Sequence, residues 1–100
     1  MFVHHVYFWL KDKDNSADHA KLLEGIKTLT AIEPKIQVHI GVPATTNRGV
    51  IDTSYSFSLL LTFNNLEDQE SYQVHPIHLA FVDQYSGLWS KVIVYDSVDA

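Results

Sequence analysis

F2-V-H-H-V-Y-F-W-L10 is a run of β-branched and aromatic residues interrupted only by two adjacent histidines. It is short for a helix and rich in the side chains that suit a pleated surface, so it reads as a strand. Successive side chains of a strand point to opposite faces. Phe2, His4, Val6, Phe8 and Leu10 therefore share one face, and Val3, His5, Tyr7 and Trp9 share the other. Both faces are largely apolar, whereas a strand at the surface of a monomer shows a polar one. Each side of the sheet that contains this strand must be covered by something.

Outward from that strand, K11-D-K-D-N-S16 is a polar turn in which Asn15 or Ser16 can cap a helix through its side-chain oxygen. Leu22, Leu23, Ile26, Leu29 and Ile32 recur at helical spacing, with Lys21, Glu24 and Lys27 opposite, which predicts a helix lying on the sheet. Glu33-Pro34 ends it, because the residue before proline avoids the helical region. Residues 35–42 alternate, with Ile36, Val38 and Ile40 on one face and Gln37 and His39 on the other, as in a half-buried strand. Pro43 to Thr53 is a long connection of the kind that often rims a site. Tyr55, Phe57, Leu59, Leu61 and Phe63 then form a wholly apolar face, alternating with Ser54, Ser56, Ser58, Leu60 and Thr62.

Asn64-Asn65 is placed to cap a short helix from Leu66 to about Val74, whose early acids Glu67, Asp68 and Glu70 suit the helix dipole. The next stretch, Y72-Q-V-H-P-I-H-L-A-F-V-D-Q-Y-S-G-L-W89, carries the candidate chemistry. Pro76 fixes its own φ and lacks an N–H, so a new helix starts there and His75 is pushed out of the helical region. Phe81, Val82 and Tyr85 stand three, four and seven residues after His78, which puts that histidine on an inward stripe. Trp89 continues the aromatic series of Phe81 and Tyr85 and reads as core or cavity lining. Ser86-Gly87 breaks the helix, and K91-V-I-V-Y-D96 is a last strand with apolar residues on both faces.

The order β-α-β-β-α(α)-β predicts an α+β fold, a ferredoxin-like βαββαβ subunit with a four-stranded antiparallel sheet and its helices on one side. Residues 1–100 form a single domain. Helices cover one face only, so the apolar residues on the other predict a second sheet from an identical subunit. The expected assembly is a homodimer built as a dimeric α/β barrel.

Composition narrows the function classes. The chain has no cysteine, which removes disulfides, thiolate catalysis and zinc–thiolate sites and permits a cytoplasmic location. A formal charge of −5 without a Lys/Arg cluster lacks the electrostatic footprint of a nucleic-acid binder. No apolar stretch is long enough to span a membrane, and the N-terminus does not read as a signal peptide. Six histidines invite a metal, but His4 and His5 face opposite ways and His75 leaves the helical register before His78, so no metal site is expected.

H-x-V-x-F (His4, Val6, Phe8), the S-Y-x-x-x-L-L-L-x-F strand, Y-x-x-H-P-x-H-L-A-F-V and L-W-x-K-V-x-V-x-D together resemble the stress-responsive dimeric α/β barrel family. The resemblance covers essentially the whole chain and implies the same subunit and barrel dimer. Most members have no assigned activity. A minority, the plant polyketide cyclases of the olivetolic acid cyclase type, carry out an intramolecular aldol condensation without metal or organic cofactor. The likeness to them implies His78 as base, Tyr72 as the holder of a substrate oxygen and His4 as a pocket histidine. Phe57 stands where those cyclases can carry a further histidine on the third strand.

Two ligand-based readings and one structural reading follow. In the first, a cavity between sheet and helices binds a small apolar or aromatic molecule and is lined by His4, Val6, Phe8, Phe57, Leu59, Tyr72, His75, His78, Phe81 and Trp89. In the second, the same cavity is the site of a cofactor-independent lyase or cyclase with His78 and Tyr72 as catalytic residues, because a neutral imidazole can take a proton and a phenol can stabilise enolate charge. In the third, His78 ties the helix start to backbone groups by a buried hydrogen bond and the protein is a structural dimer module.

Overall fold

The computed structural model describes residues 1–100. The first run forms β1 (Phe2–Leu10). A helix α1 (Ser16–Thr28) follows, capped by the Asn15 side chain, which accepts from the N–H groups of Ala17 and Asp18. A tight turn at Leu29–Ala31 closes it, and Ile32 returns to extended backbone. Then come β2 (Gln37–Gly41), β3 (Phe57–Phe63), α2 (Leu66–Gln73), α3 (Pro76–Tyr85) and β4 (Trp89–Val98). Asn65 caps α2 by accepting from the Asp68 N–H.

The four strands lie in the order β2-β3-β1-β4, and every pairing is antiparallel. This is the α+β ferredoxin-like arrangement expected from the order of elements. The helices cover one face, giving a slab of 37 × 33 × 17 Å. The core is the face that carries Phe2, Val6, Phe8, Leu59, Leu61 and Phe63, with Leu22, Ile26 and Leu29 of the first helical segment packed on it. Gly25 permits a close approach here, since a Cβ on it would lie 2.6 Å from the Tyr85 ring of α3.

Register explains why β1 has two characters. His4 stands beside Leu61 and Asp96, and Leu61 beside Val38, so these four form one row across the covered face. One residue along, His39, Leu60, His5 and Tyr95 form a row across the uncovered face. The alternation in β1 is complete, with each residue of the Phe2 set buried and each of the His5 set half-buried.

Three local expectations are corrected. Tyr55 does not extend the apolar face of β3: pairing stops at Phe57, and Tyr55 turns to the uncovered face, its ring 4.9 Å from Tyr7 and 6.4 Å from Trp9. Ile36 lies before β2 and is exposed. Trp89 does not continue the stripe of α3 but opens β4, after a turn at Ser86–Leu88.

Candidate active site

The cavity forms where α2 and α3 leave the covered face of β1 and β4 incompletely filled. His75 shows why the chain bends there. Its extended backbone (φ −64°, ψ 140°) before Pro76 ends α2, and its Nδ1 accepts from the Ile77 N–H at 3.1 Å, capping α3. The new helix then carries His78 and Phe81 towards the sheet. The space is about 160 Å³ and is open at one side. Its polar edge is made by His4, Tyr72, Gln73 and His78, and its apolar wall by Phe8, Phe81 and Trp89 with Val6, Leu29 and Leu59. Val82 and Val94, both partly exposed, stand at the mouth beside Val92.

The aromatic wall is continuous. Phe8 lies 6.0 Å from Phe81 and 5.3 Å from Trp89 between ring centroids, and Phe81 lies 5.5 Å from Trp89. At the polar end the Tyr72 ring meets His78 edge-on at 4.9 Å and His4 edge-on at 5.8 Å. Aromatic rings prefer such offset and edge-on contacts to a face-to-face stack. Tyr72 therefore sits between two imidazoles, with Phe63 closing its far side at 5.6 Å.

His4 is held by Asp96. Its Nδ1 is 2.6 Å from Asp96 Oδ1 across the paired strands β1 and β4. A carboxylate only accepts, so Nδ1 carries a proton. His78 differs: its Nδ1 is enclosed without any hydrogen-bond partner. Buried polar atoms are nearly always paired, and no group of this chain pairs with this nitrogen, so His78 is not tied to backbone groups through Nδ1. Burial pulls the His78 pKa below the ordinary histidine value, with the nearby His4 adding to the effect. Burial alone raises the Tyr72 phenol well above its ordinary value. At neutral pH the pair is thus a neutral imidazole able to accept a proton and a protonated phenol able to donate a hydrogen bond.

Of the residues grouped from sequence, the fold brings His4, Val6, Phe8, Leu59, Tyr72, His78, Phe81 and Trp89 to one cavity. Two lie elsewhere. Phe57 is fully buried under the His19 ring of α1, at 4.4 Å, and does not reach the cavity. His75 is spent on the cap of α3. Asp96 and Gln73 were not singled out. Alternation from Val92 and Val94 would have put Asp96 on the covered face, but only the register with β1 places it beside His4. No group of three or more potential metal-ligating side chains converges anywhere in the molecule, and no helix is long and apolar enough to cross a membrane.

The stress responsive A/B barrel domain model matches residues 2–99. Olivetolic acid cyclase of Cannabis sativa is 26% identical over 94 residues, which cover 93% of this chain and 91% of that protein. Among solved structures, a Dabb family protein with a ferredoxin-like fold from Mesorhizobium loti superposes with a TM-score of 0.80 at 27% identity, covering 99% of this chain and 96% of its own. A dimeric ferredoxin-like protein of unknown function from Thermobifida fusca gives 0.76 at 16% identity, covering 96% and 88%.

Proposed function

The chain belongs to the stress-responsive A/B barrel domain family, and from that premise we propose that its cavity binds a small apolar or aromatic molecule with one polar end. The observation that carries this reading is the juxtaposition of a continuous aromatic wall with an unpartnered His78 and a protonated Tyr72. The volume suits a molecule about the size of a benzene ring, since an apolar cavity of ~150 Å³ takes up benzene. A longer ligand would leave through the mouth at Val82 and Val94. The test is a titration with small aryl carbonyl compounds followed by NMR. Shifts confined to the Trp89 indole and the His78 and Tyr72 rings are expected; shifts centred outside the cavity, or none up to millimolar ligand, overturn the reading.

A second reading, cofactor-independent lyase or cyclase chemistry, is favoured by the protonation states of His78 and Tyr72. His78 would take a proton from a carbon beside a substrate carbonyl, and Tyr72 would donate to the carbonyl oxygen as negative charge develops on it. His4, with Nδ1 held by Asp96, presents its other ring nitrogen at the same end. The cyclase relative supports this reading. Exchange of the α-proton of an aryl ketone for deuterium is its direct assay. Removing a general base typically costs about 10²–10⁴-fold and removing an oxyanion donor about 10²–10³-fold, so His78→Ala and Tyr72→Phe should each lose at least ~100-fold. Rates unchanged by both substitutions would sink it.

The uncovered sheet face supports a homodimer. Tyr7, Trp9, Tyr55, Ile93 and Tyr95 make it aromatic, as interface cores are. Its charged groups, Lys91 and Asp52, lie beside this aromatic patch. Closing two such faces on each other forms the barrel.

A further inference from the structure

We propose that pairing of two copies through the uncovered sheet face is gated by protonation of His5, so that the dimer forms at neutral pH and separates in acid. The proposal rests on the homodimer reading and adds its regulation.

His5 occupies the middle of that face, in the row His39, Leu60, His5, Tyr95. Its only side-chain hydrogen bond is with Tyr7, whose hydroxyl lies 3.3 Å from His5 Nδ1, with the two ring centroids 4.5 Å apart. A phenol can donate to or accept from an imidazole nitrogen, so this contact holds the His5 ring against Tyr7 in either protonation state, and what opposes a charge there is the surroundings. Burial and the neighbouring His39 already oppose a charge on His5 in the single subunit, with a further contribution from His4 behind it. Covering the face with a second sheet removes the remaining water and opposes that charge further.

The groups around His5 include no carboxylate. Its own strand supplies Tyr7, β3 supplies Leu60 with Ser58 and Thr62 on either side, β4 supplies Tyr95 with Ile93 and Ser97, and β2 supplies His39. Tyr55 adds a third phenol against Tyr7. The carboxylates are committed elsewhere. Asp52 accepts from the Ser54 N–H and is influenced by Lys91, itself held over the Trp9 ring at the far end of the strands. Asp96 is on the opposite face with His4, and Asp99 pairs with the N-terminal ammonium beyond the strand. A proton on His5 would thus be buried against a histidine and phenols with no anion to meet it.

A two-fold interface holds two copies of His5. Once the pH is below the histidine value of the free subunit, excluding two protons makes the dimer Kd rise towards about 100-fold per pH unit. Sedimentation equilibrium of the intact chain at about pH 8, 7, 6 and 5 measures this directly against the ordinary histidine range. The expected result is a Kd flat above the ordinary histidine range that climbs as the pH falls below it while the far-UV spectrum stays native. His5→Gln keeps a neutral acceptor and should dimerise with most of that slope gone; His39→Gln should keep most of it. A dimer whose Kd is constant over this range, or whose acid dissociation is unchanged in His5→Gln, overturns the gate and leaves the homodimer standing. A chain monomeric at every pH overturns the homodimer reading itself.

Discussion

His4 and His5 are adjacent in sequence and sit on opposite sides of one sheet. His4 is 4% exposed, bonded to Asp96 and part of a cavity roofed by helices. His5 lies half-buried on a face that no element of the chain covers, bonded to a phenol. The difference is one step of a period-two pleat, yet it separates a site within the subunit from a surface between subunits. The covered face carries stability and the candidate chemistry, while the uncovered one carries association.

If that division holds, substitutions on the two faces should act on different measurements. The largest effect belongs to the covered face: Phe57→Ala, at a fully buried site, should cost about 3–5 kcal/mol in denaturant unfolding. A loss below about 1 kcal/mol would show that this face is not the core. Next is Leu60→Asp at the centre of the uncovered face. It should weaken dimerisation by at least about 100-fold in sedimentation while costing the isolated subunit only about 1 kcal/mol. An unchanged Kd would break the comparison.

Smaller is the pH dependence that comes from the cavity. The folded chain keeps His78 neutral below its ordinary value, so as pH falls the unfolded chain takes up that proton first. Stability should be full above about pH 6.5 and decline as the pH drops from there through the lowered folded-state value. His78→Gln should flatten part of this decline in thermal unfolding, and a profile steeper than that of the unsubstituted chain would contradict it. The smallest effect is Asp96→Asn. Its contact with His4 is charge-assisted but the carboxylate is partly exposed, so a loss of about 1 kcal/mol is expected. The His4 imidazole resonances should report the lost proton-holding partner, and an unchanged His4 spectrum would mean the contact does not set its tautomer.

Much of the fold was legible because its signals are local. Asn15 and Asn65 cap the helices they precede, Pro76 starts the helix it was expected to start, and β1 alternates as its side chains dictate, while β3 at the centre of the sheet buries Ser58 and Thr62 along with its apolar face. The candidate site was less legible. Phe57 shares the strand face of Leu59 yet lies under His19, because which part of a face meets which helix depends on how α1 and α3 divide the sheet. Tyr55 continued the alternation of β3 on paper, but alternation lasts only while pairing does.

What the sequence determined by itself was the set of elements, their order, the two-sided apolar character of β1 and the inward direction of His78. These follow from side-chain periodicity and capping, which act over a few residues. What only the tertiary structure decided was which distant residues meet: Asp96 on His4 across 92 positions, Tyr72 between two histidines, and Tyr7 on a face left uncovered. Those meetings depend on strand register and on helices docking over a sheet, and no local pattern encodes either, because the free energy that selects them comes from burying surfaces far apart in the chain.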